Sequence, residues 1–196
     1  MKKLFYATKN KFKIQSMNNR LNGLDIEIIT PYDLNIDINI EEDGNTVTEN
    51  ATKKAQAYTK LVDMPIIAGD SALYIEKFKV QPGLHVRRIN GKYLNDDELE
   101  RYYSNELEKL GGESIAYYIT GLALISKDKI HTIEIRENDF LMTSKIYNGE
   151  RNNDALGRLE VDIKSNKYFC EITNIDKKNT DSNYDKKCVE FIKNNI

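Results

Sequence analysis

Short apolar runs broken by polar turns set out the first seventy residues. Leu4 to Ala7 is an apolar run that stops at Thr8-Lys9-Asn10. Ile14, Met17 and Leu21 then recur at i, i+3 and i+7, the spacing of one helix face, until Asn22-Gly23 ends it. Ile26, Ile28 and Ile29 restart the chain as a strand. Thr46-Val47-Thr48-Glu49 fits a capping box, a hydroxyl N-cap with a glutamate three positions on. Val47, Ala51, Ala55, Tyr58 and Leu61 lay out the apolar face of the helix it opens. Pro65 to Asp70 reads as a buried strand ending in an acid, and Leu73-Tyr74-Ile75 resumes extended structure.

Asp97 with Glu100 predicts a second capping box, opening a helix that carries Leu99, Tyr103, Leu107 and Leu110 and closes at Gly111-Gly112. From Ser114 to about Met142 the pattern predicts two strands, Ile115–Ile125 and Ile130–Ile135, joined by a Lys127-Asp128-Lys129 hairpin loop. Residues 176–187 carry seven charges and read as a loop; Val189, Phe191 and Ile192 then suit a terminal helix. Strands and helices that alternate without a linker predict one α/β domain over residues 1–196, with a smaller lobe at about 80–140.

Composition narrows the partners. Across 196 residues, 29 Lys+Arg against 31 Asp+Glu give a net charge of −2. That argues against a generic nucleic-acid binder, whose affinity rests on surplus cations against phosphate. It leaves room for a small basic pocket. Cys170 and Cys188 stand 18 residues apart with no CxxC pair and no nearby histidine, which excludes a zinc or disulfide framework of known spacing. The apolar run at residues 4–7 is too short for a signal peptide or a membrane span, so a cytoplasmic protein without membrane contact is expected.

Three polar clusters stand at element ends, where loops carry function. Thr8, Lys9, Asn10 and Lys13 lie at a strand-to-helix turn, where free N–H groups and lysines together suit a triphosphate. The same residues also suit an ordinary N-cap with solvated lysines. Glu41-Glu42-Asp43-Gly44 precedes the capped helix, and Asp70-Ser71 ends the buried strand. Separated carboxylates that converge can hold magnesium, and one can accept a proton from water. An acidic triplet can equally be a solvated turn. Gln81-Pro82-Gly83 leads to Arg87 and Arg88, which suit polyphosphate or simple surface charge. His85 beside that turn belongs to no Ser-His-Asp or Cys-His set.

The order and spacing of these clusters resemble a known family. Thr8-x-Asn10-x-x-Lys13 comes first, then Glu41-x-x-Gly44-x-Thr46-x-x-Glu49-Asn50-Ala51-x-x-Lys54-Ala55, then Ala68-x-Asp70-Ser71-x-Leu73, then Pro82-Gly83 with Arg88. This succession is similar to the inosine triphosphate pyrophosphatase family, house-cleaning hydrolases of non-canonical purine nucleoside triphosphates. The match is specific over residues 1–90 and falls to an element pattern over 91–145.

The resemblance implies an elongated mixed β-sheet with flanking helices, an active-site cleft between two lobes, and a homodimer. It implies cleavage of a nucleoside triphosphate to a monophosphate and pyrophosphate with Mg2+, or Mn2+. Thr8, Lys9, Asn10, Lys13 and Lys54 would contact the triphosphate, with Ser71 beside the substrate and Arg87 or Arg88 facing the cleft. Glu41, Glu42 and Asp70 would hold the metal; Asp70 and Lys13 would be the catalytic pair. Two departures stand out. Gly69 takes the place of one acid of the family's pair before the serine. Leu156-Gly157-Arg158-Leu159 replaces the family's Phe-Gly-Tyr-Asp, and Ser182-Asn183-Tyr184 its late Ser-His-Arg, leaving Asn183 and Tyr184 as the base-facing candidates. An altered base selectivity follows. The alternatives are a catalytically weak nucleotide-binding or regulatory protein on the same fold, and a related enzyme for modified pyrimidine nucleotides.

Overall fold

A computed structural model of the chain describes residues 1–79, 81–151, 154–172 and 183–196. Among these residues, nine strands share one mixed sheet in the order β11-β10-β9-β7-β3-β1-β2, with β4 paired to β3 and β8 paired to β7. The strands are β1 (Lys2–Tyr6), β2 (Ile26–Ile29), β3 (Ile66–Ile75), β4 (Gln81–Gly83), β7 (Glu113–Ser126), β8 (Lys129–Arg136), β9 (Phe140–Thr143), β10 (Glu160–Asp162) and β11 (Lys167–Tyr168). A separate ribbon pairs β5 (Arg88–Ile89) with β6 (Lys92–Tyr93). The helices are α1 (Lys11–Leu21), α2 (Val47–Gln56), α3 (Asp96–Lys109) and α4 (Asn183–Asn195).

Two compact units divide the chain. The first holds residues 1–71, 119–136 and 183–196; the second holds 72–118 and 137–182. In the first unit, β1 runs parallel to both β2 and β3. The two-residue period of the strands sorts side chains to opposite faces. Leu4, Tyr6, Ile67, Leu122 and Leu124 pack with Met17 and Leu21 of α1 and with Cys188, Phe191 and Ile192 of α4. Phe5, Ala7, Ile66, Ala68 and Ala123 pack against Ala51 and Ala55 of α2 and against Tyr58. Thus α1 and α4 cover one face of this part of the sheet and α2 covers the other. In the second unit, Leu99, Tyr103 and Leu107 of α3 close a core with Leu73, Ile75, Ala116, Phe140, Met142, Leu156 and Leu159.

Several elements differ from the sequence pattern for identifiable reasons. The α3 capping box is Asn95 with Glu98, not Asp97 with Glu100: Asn95 Oδ1 accepts the Glu98 N–H at 3.0 Å and Glu98 Oε2 accepts the Asn95 N–H at 2.9 Å. Glu100 is buried and faces Arg151 and Arg158 instead. Helix α2 ends at Gln56, so Tyr58 is buried from a following turn and Leu61 is left exposed. The two stretches 65–70 and 73–75 are one strand, β3. A third strand, β9, follows the hairpin of β7 and β8. That hairpin turns on Lys127 and Asp128 alone, both at positive φ, while Lys129 pairs with Ser126. Of the expected loop at 176–187, residues 183–187 open α4, and the remainder lies outside the described residues. Tyr184, Cys188, Phe191 and Ile192 form the i, i+4, i+7, i+8 stripe of that helix, and the charges between them lie off it.

Candidate active site

The site grows from the start of α2 and the middle of β3. Thr46 caps α2 by accepting the Glu49 N–H at 3.1 Å, and Glu49 reaches back to the Asn45 N–H at 2.7 Å. Residues Thr46, Asn50 and Lys54 then follow at four-residue steps along one helix face. Asn50 and Lys54 both meet Asp70. The Asn50 amide donates to Asp70 Oδ2 at 3.0 Å, and the Lys54 ammonium donates to Oδ1 at 2.8 Å. Lys54 also pairs with Glu42 Oε2 at 2.9 Å. One ammonium therefore joins two carboxylates that are 28 residues apart in sequence, since Glu42 lies on the loop before α2 and Asp70 on β3.

The electrostatics favour an ionised Asp70. Burial works to raise its carboxyl, but the Lys54 and Lys13 ammoniums and the bonds from Lys54 and Asn50 outweigh it. The group therefore sits below the usual carboxylate range. It stays charged at neutral pH although its side chain is 12% exposed. Lys13 reaches this place from α1, donating to the Gly69 carbonyl at 3.3 Å.

The other candidates have local partners. Asn10 is the N-cap of α1, accepting the Lys13 N–H at 3.1 Å, and Thr8 Oγ1 accepts the Asn10 N–H at 3.1 Å. Lys9 is exposed, pairs with Asp37 and donates to the Ile38 carbonyl at 3.2 Å. Ser71 exchanges a hydrogen bond with Thr120 at 2.8 Å and, as the next residue on β3, projects from the face opposite Asp70. Glu41 is exposed on the loop beside Glu42. In the second unit, the Arg87 guanidinium donates to Asp96 at 2.6 Å and to the Leu94 carbonyl at 3.3 Å, and Arg88 is exposed in β5. Tyr184 lies under the Arg20 guanidinium, 4.6 Å from ring centroid to carbon, and packs on the core; Asn183 is exposed at the start of α4.

Asp70, Lys54, Lys13 and Glu42 therefore converge. Asn50 joins them without having been singled out by its chemistry, although its four-residue offset from Lys54 carried the signal. Thr120, the partner of Ser71, had no signal in the sequence. Among the described residues no three His, Cys, Asp or Glu side chains form a cage for a metal ion. No helix of the described residues is long and apolar enough to cross a membrane.

Comparison with known proteins identifies the family. The chain is 33% identical over 140 residues to a dITP/XTP pyrophosphatase of Leptospira interrogans serogroup Icterohaemorrhagiae serovar copenhageni, covering 69% of this chain and 68% of that protein. It is 33% identical over 133 residues to the dITP/XTP pyrophosphatase of Thermoanaerobacter pseudethanolicus, covering 67% of each. Its fold matches the Staphylococcus aureus Ham1 protein with a TM-score of 0.70 over 97% of both chains, at 21% identity. It matches a HAM1 protein from Coxiella burnetii with a TM-score of 0.68 over 90% of both chains, at 24% identity. The model of the Ham1 family matches residues 4–157, beyond the stretch in which the motifs themselves are specific. The chain belongs to the Ham1 family.

Proposed function

We propose that this chain, a nucleoside triphosphate pyrophosphatase by family, works through Asp70, Lys13, Lys54 and Glu42. The observation that carries the reading is the Lys54 ammonium held between Glu42 at 2.9 Å and the buried, ionised Asp70 at 2.8 Å. Lys13 and Lys54 supply point charges for phosphate oxygens, with Thr8, Lys9 and Asn10 at the amino end of α1 beside them. Asp70 orients a water and accepts its proton as the water oxygen attacks the α-phosphorus. The bond from that phosphorus to the bridging oxygen breaks, and pyrophosphate leaves.

The donor set fits a divalent cation. Magnesium takes one or two carboxylates and completes its octahedron with water and substrate phosphates, so a protein-only cage is not needed. Asp70 and Glu42 already direct hard oxygens at one cation, the ammonium of Lys54, and Glu41 is adjacent. When bound, Mg2+ or Mn2+ would neutralise phosphate charge and polarise the α-phosphoryl group. The family resemblance adds a cytoplasmic homodimer to the proposal.

Relatives named dITP/XTP pyrophosphatases support non-canonical purine triphosphates as the substrate class. The base-reading end supports a weaker selectivity. Leu156 and Leu159 are buried in the core of the second unit, where they offer a base no polar group. Asn183 and Tyr184 offer an amide and a phenol in place of charged donors. Hydrogen bonds to charged groups contribute roughly 1.5–3 kcal/mol, so their loss is expected to cost about 10–150-fold in discrimination.

A pyrophosphate-release assay with inosine, xanthosine, guanosine and adenosine triphosphates tests this reading. Expected products are a monophosphate and pyrophosphate, with small differences in kcat/KM across the panel. Asp70→Asn is expected to lower turnover by ~10²–10⁴-fold, while Lys13→Ala chiefly raises KM. Orthophosphate as the primary product, nucleotide binding without turnover, or an unchanged Asp70→Asn would overturn it. A strong preference for inosine triphosphate that survives Asn183→Ala would move base reading elsewhere in the chain.

A further inference from the structure

Asn50 is the buried polar side chain of the site that the proposed chemistry leaves without a task. Its residue exposure is 3%. Its two polar atoms point in different directions. Oδ1 accepts the Gly44 N–H at 2.8 Å, and Nδ2 donates to Asp70 Oδ2 at 3.0 Å. The orientation of the amide is fixed by this pair: a backbone N–H can meet only the oxygen, and a carboxylate is met best by the NH2.

We infer that Asn50 is the positioning residue of this site, fixing the plane of the Asp70 carboxylate and tying it to the acidic loop Glu41–Gly44. The inference rests on the proposed role of Asp70 and adds a residue that acts through it. The two oxygens of Asp70 are held in unlike ways. Oδ1 meets Lys54, a long side chain with three donors that it already shares with Glu42. Such a partner can swing to a phosphate. Oδ2 meets a short, buried amide that is anchored at its other end to backbone. When Lys54 turns to substrate, the Asn50 bond still sets which lone pairs of Asp70 face the reaction.

Gly44 completes the device. A Cβ there would stand 2.6 Å from Asn50 Oδ1, 2.9 Å from Glu49 Cβ and 3.1 Å from the Asn50 nitrogen. Only a residue without a side chain lets the loop come close enough to bond the amide. The backbone of the acidic loop, the capped end of α2 and the middle of β3 are thereby joined through one side chain. Partners that orient a metal-binding carboxylate in this way typically change metal affinity or activity by ~10–100-fold when removed.

The test uses the full chain as wild type, Asn50→Ala and Gly44→Ala. Mn2+ affinity is read without nucleotide from the paramagnetic resonance of the free ion, kcat and KM are read from pyrophosphate release, and melting is followed by circular dichroism. Asn50→Ala is expected to weaken Mn2+ binding and lower kcat, each by ~10–100-fold, with KM for the nucleotide little changed. Gly44→Ala should move the same quantities in the same direction while leaving Asn50 and Asp70 in the chain, and it carries the test should Asn50→Ala not fold. Wild-type Mn2+ affinity and kcat per folded molecule in these variants, with only the melting temperature lowered, would reduce Asn50 to a structural residue and overturn the inference. A wild type that binds Mn2+ but releases no pyrophosphate, with affinity lost in Asn50→Ala, would instead overturn the proposed hydrolysis and support the positioning role.

Discussion

Glu160 in β10 is fully buried, and Tyr118 donates its hydroxyl to Glu160 Oε1 at 2.5 Å. Oε2 meets no hydrogen-bond partner among the described residues. Burial, then the nearby Asp154 charge, push this carboxyl well above its ordinary value, and Glu137 adds to the push; only the Tyr118 bond works the other way. The folded chain therefore keeps a proton on Glu160 that the unfolded chain releases above the usual carboxylate pKa. Stability from this group is present below that value and is lost as pH rises toward the folded one. Glu160→Gln preserves the acceptor for Tyr118 and cannot ionise. It is expected to melt like wild type near pH 5 and a few degrees higher near pH 8. A wild-type melting curve that is flat over this range, or a Gln variant that tracks it, would contradict the assignment. Nothing around position 160 in the sequence signals a buried acid, since its environment comes from Tyr118, some forty residues earlier. Asp70 was legible for the opposite reason. It follows the apolar run Ile66-Ile67-Ala68, and an acid there has to find cations, which Lys13 and Lys54 provide.

Helix α2 is placed by a contact that tolerates no side chain. A Cβ on Gly121 of β7 would lie 2.6 Å from the Thr48 nitrogen and the Val47 carbonyl carbon, and 2.8 Å from Val47 Cγ2. Two of these atoms are backbone, so the helix itself would have to move. Overpacking of this kind costs roughly 1–3 kcal/mol, and the moved element carries Asn50 and Lys54. Gly121→Ala is therefore expected to lower both the melting temperature and turnover. Activity that stays at the wild-type level per folded molecule would show that the helix slides without disturbing Asp70. The existence of α2 was plain from its cap and its alanine stripe. The start of α3 was ambiguous because Asn95 with Glu98 and Asp97 with Glu100 both satisfy the three-residue spacing. Tertiary contact decided between them by drawing Glu100 to two arginines. The continuity of β3 was hidden by the polar pair Asp70-Ser71, which reads like a turn until α2 satisfies one and Thr120 the other.

At the scale of the whole molecule, the two units are assembled from five stretches of chain, and the backbone passes between them at residues 71–72, 118–119, 136–137 and 182–183. Strands β3 and β7 each contribute residues to both. Neither unit is a contiguous segment that could be excised with its core complete. The chain is therefore expected to unfold in one transition, with calorimetric and van't Hoff enthalpies that agree. Two resolved transitions would show separate domains. The alternation of apolar runs announced the α/β class over the first unit. The short strands β4, β5, β6, β10 and β11 escaped it because two or three residues carry no period.

The packing of α4 on β1 also has a consequence in time. Leu4 and Tyr6 share a core with Cys188, Phe191 and Ile192. A chain made at ~5–20 residues per second reaches those later residues roughly ten to forty seconds after it makes the first. Throughout that interval the α4 side of the first strand's apolar face lacks its cover. The nascent protein must wait, with this face of β1 exposed, for the segment that forms α4 to leave the ribosome, and this is the period in which a holding chaperone has most to offer it.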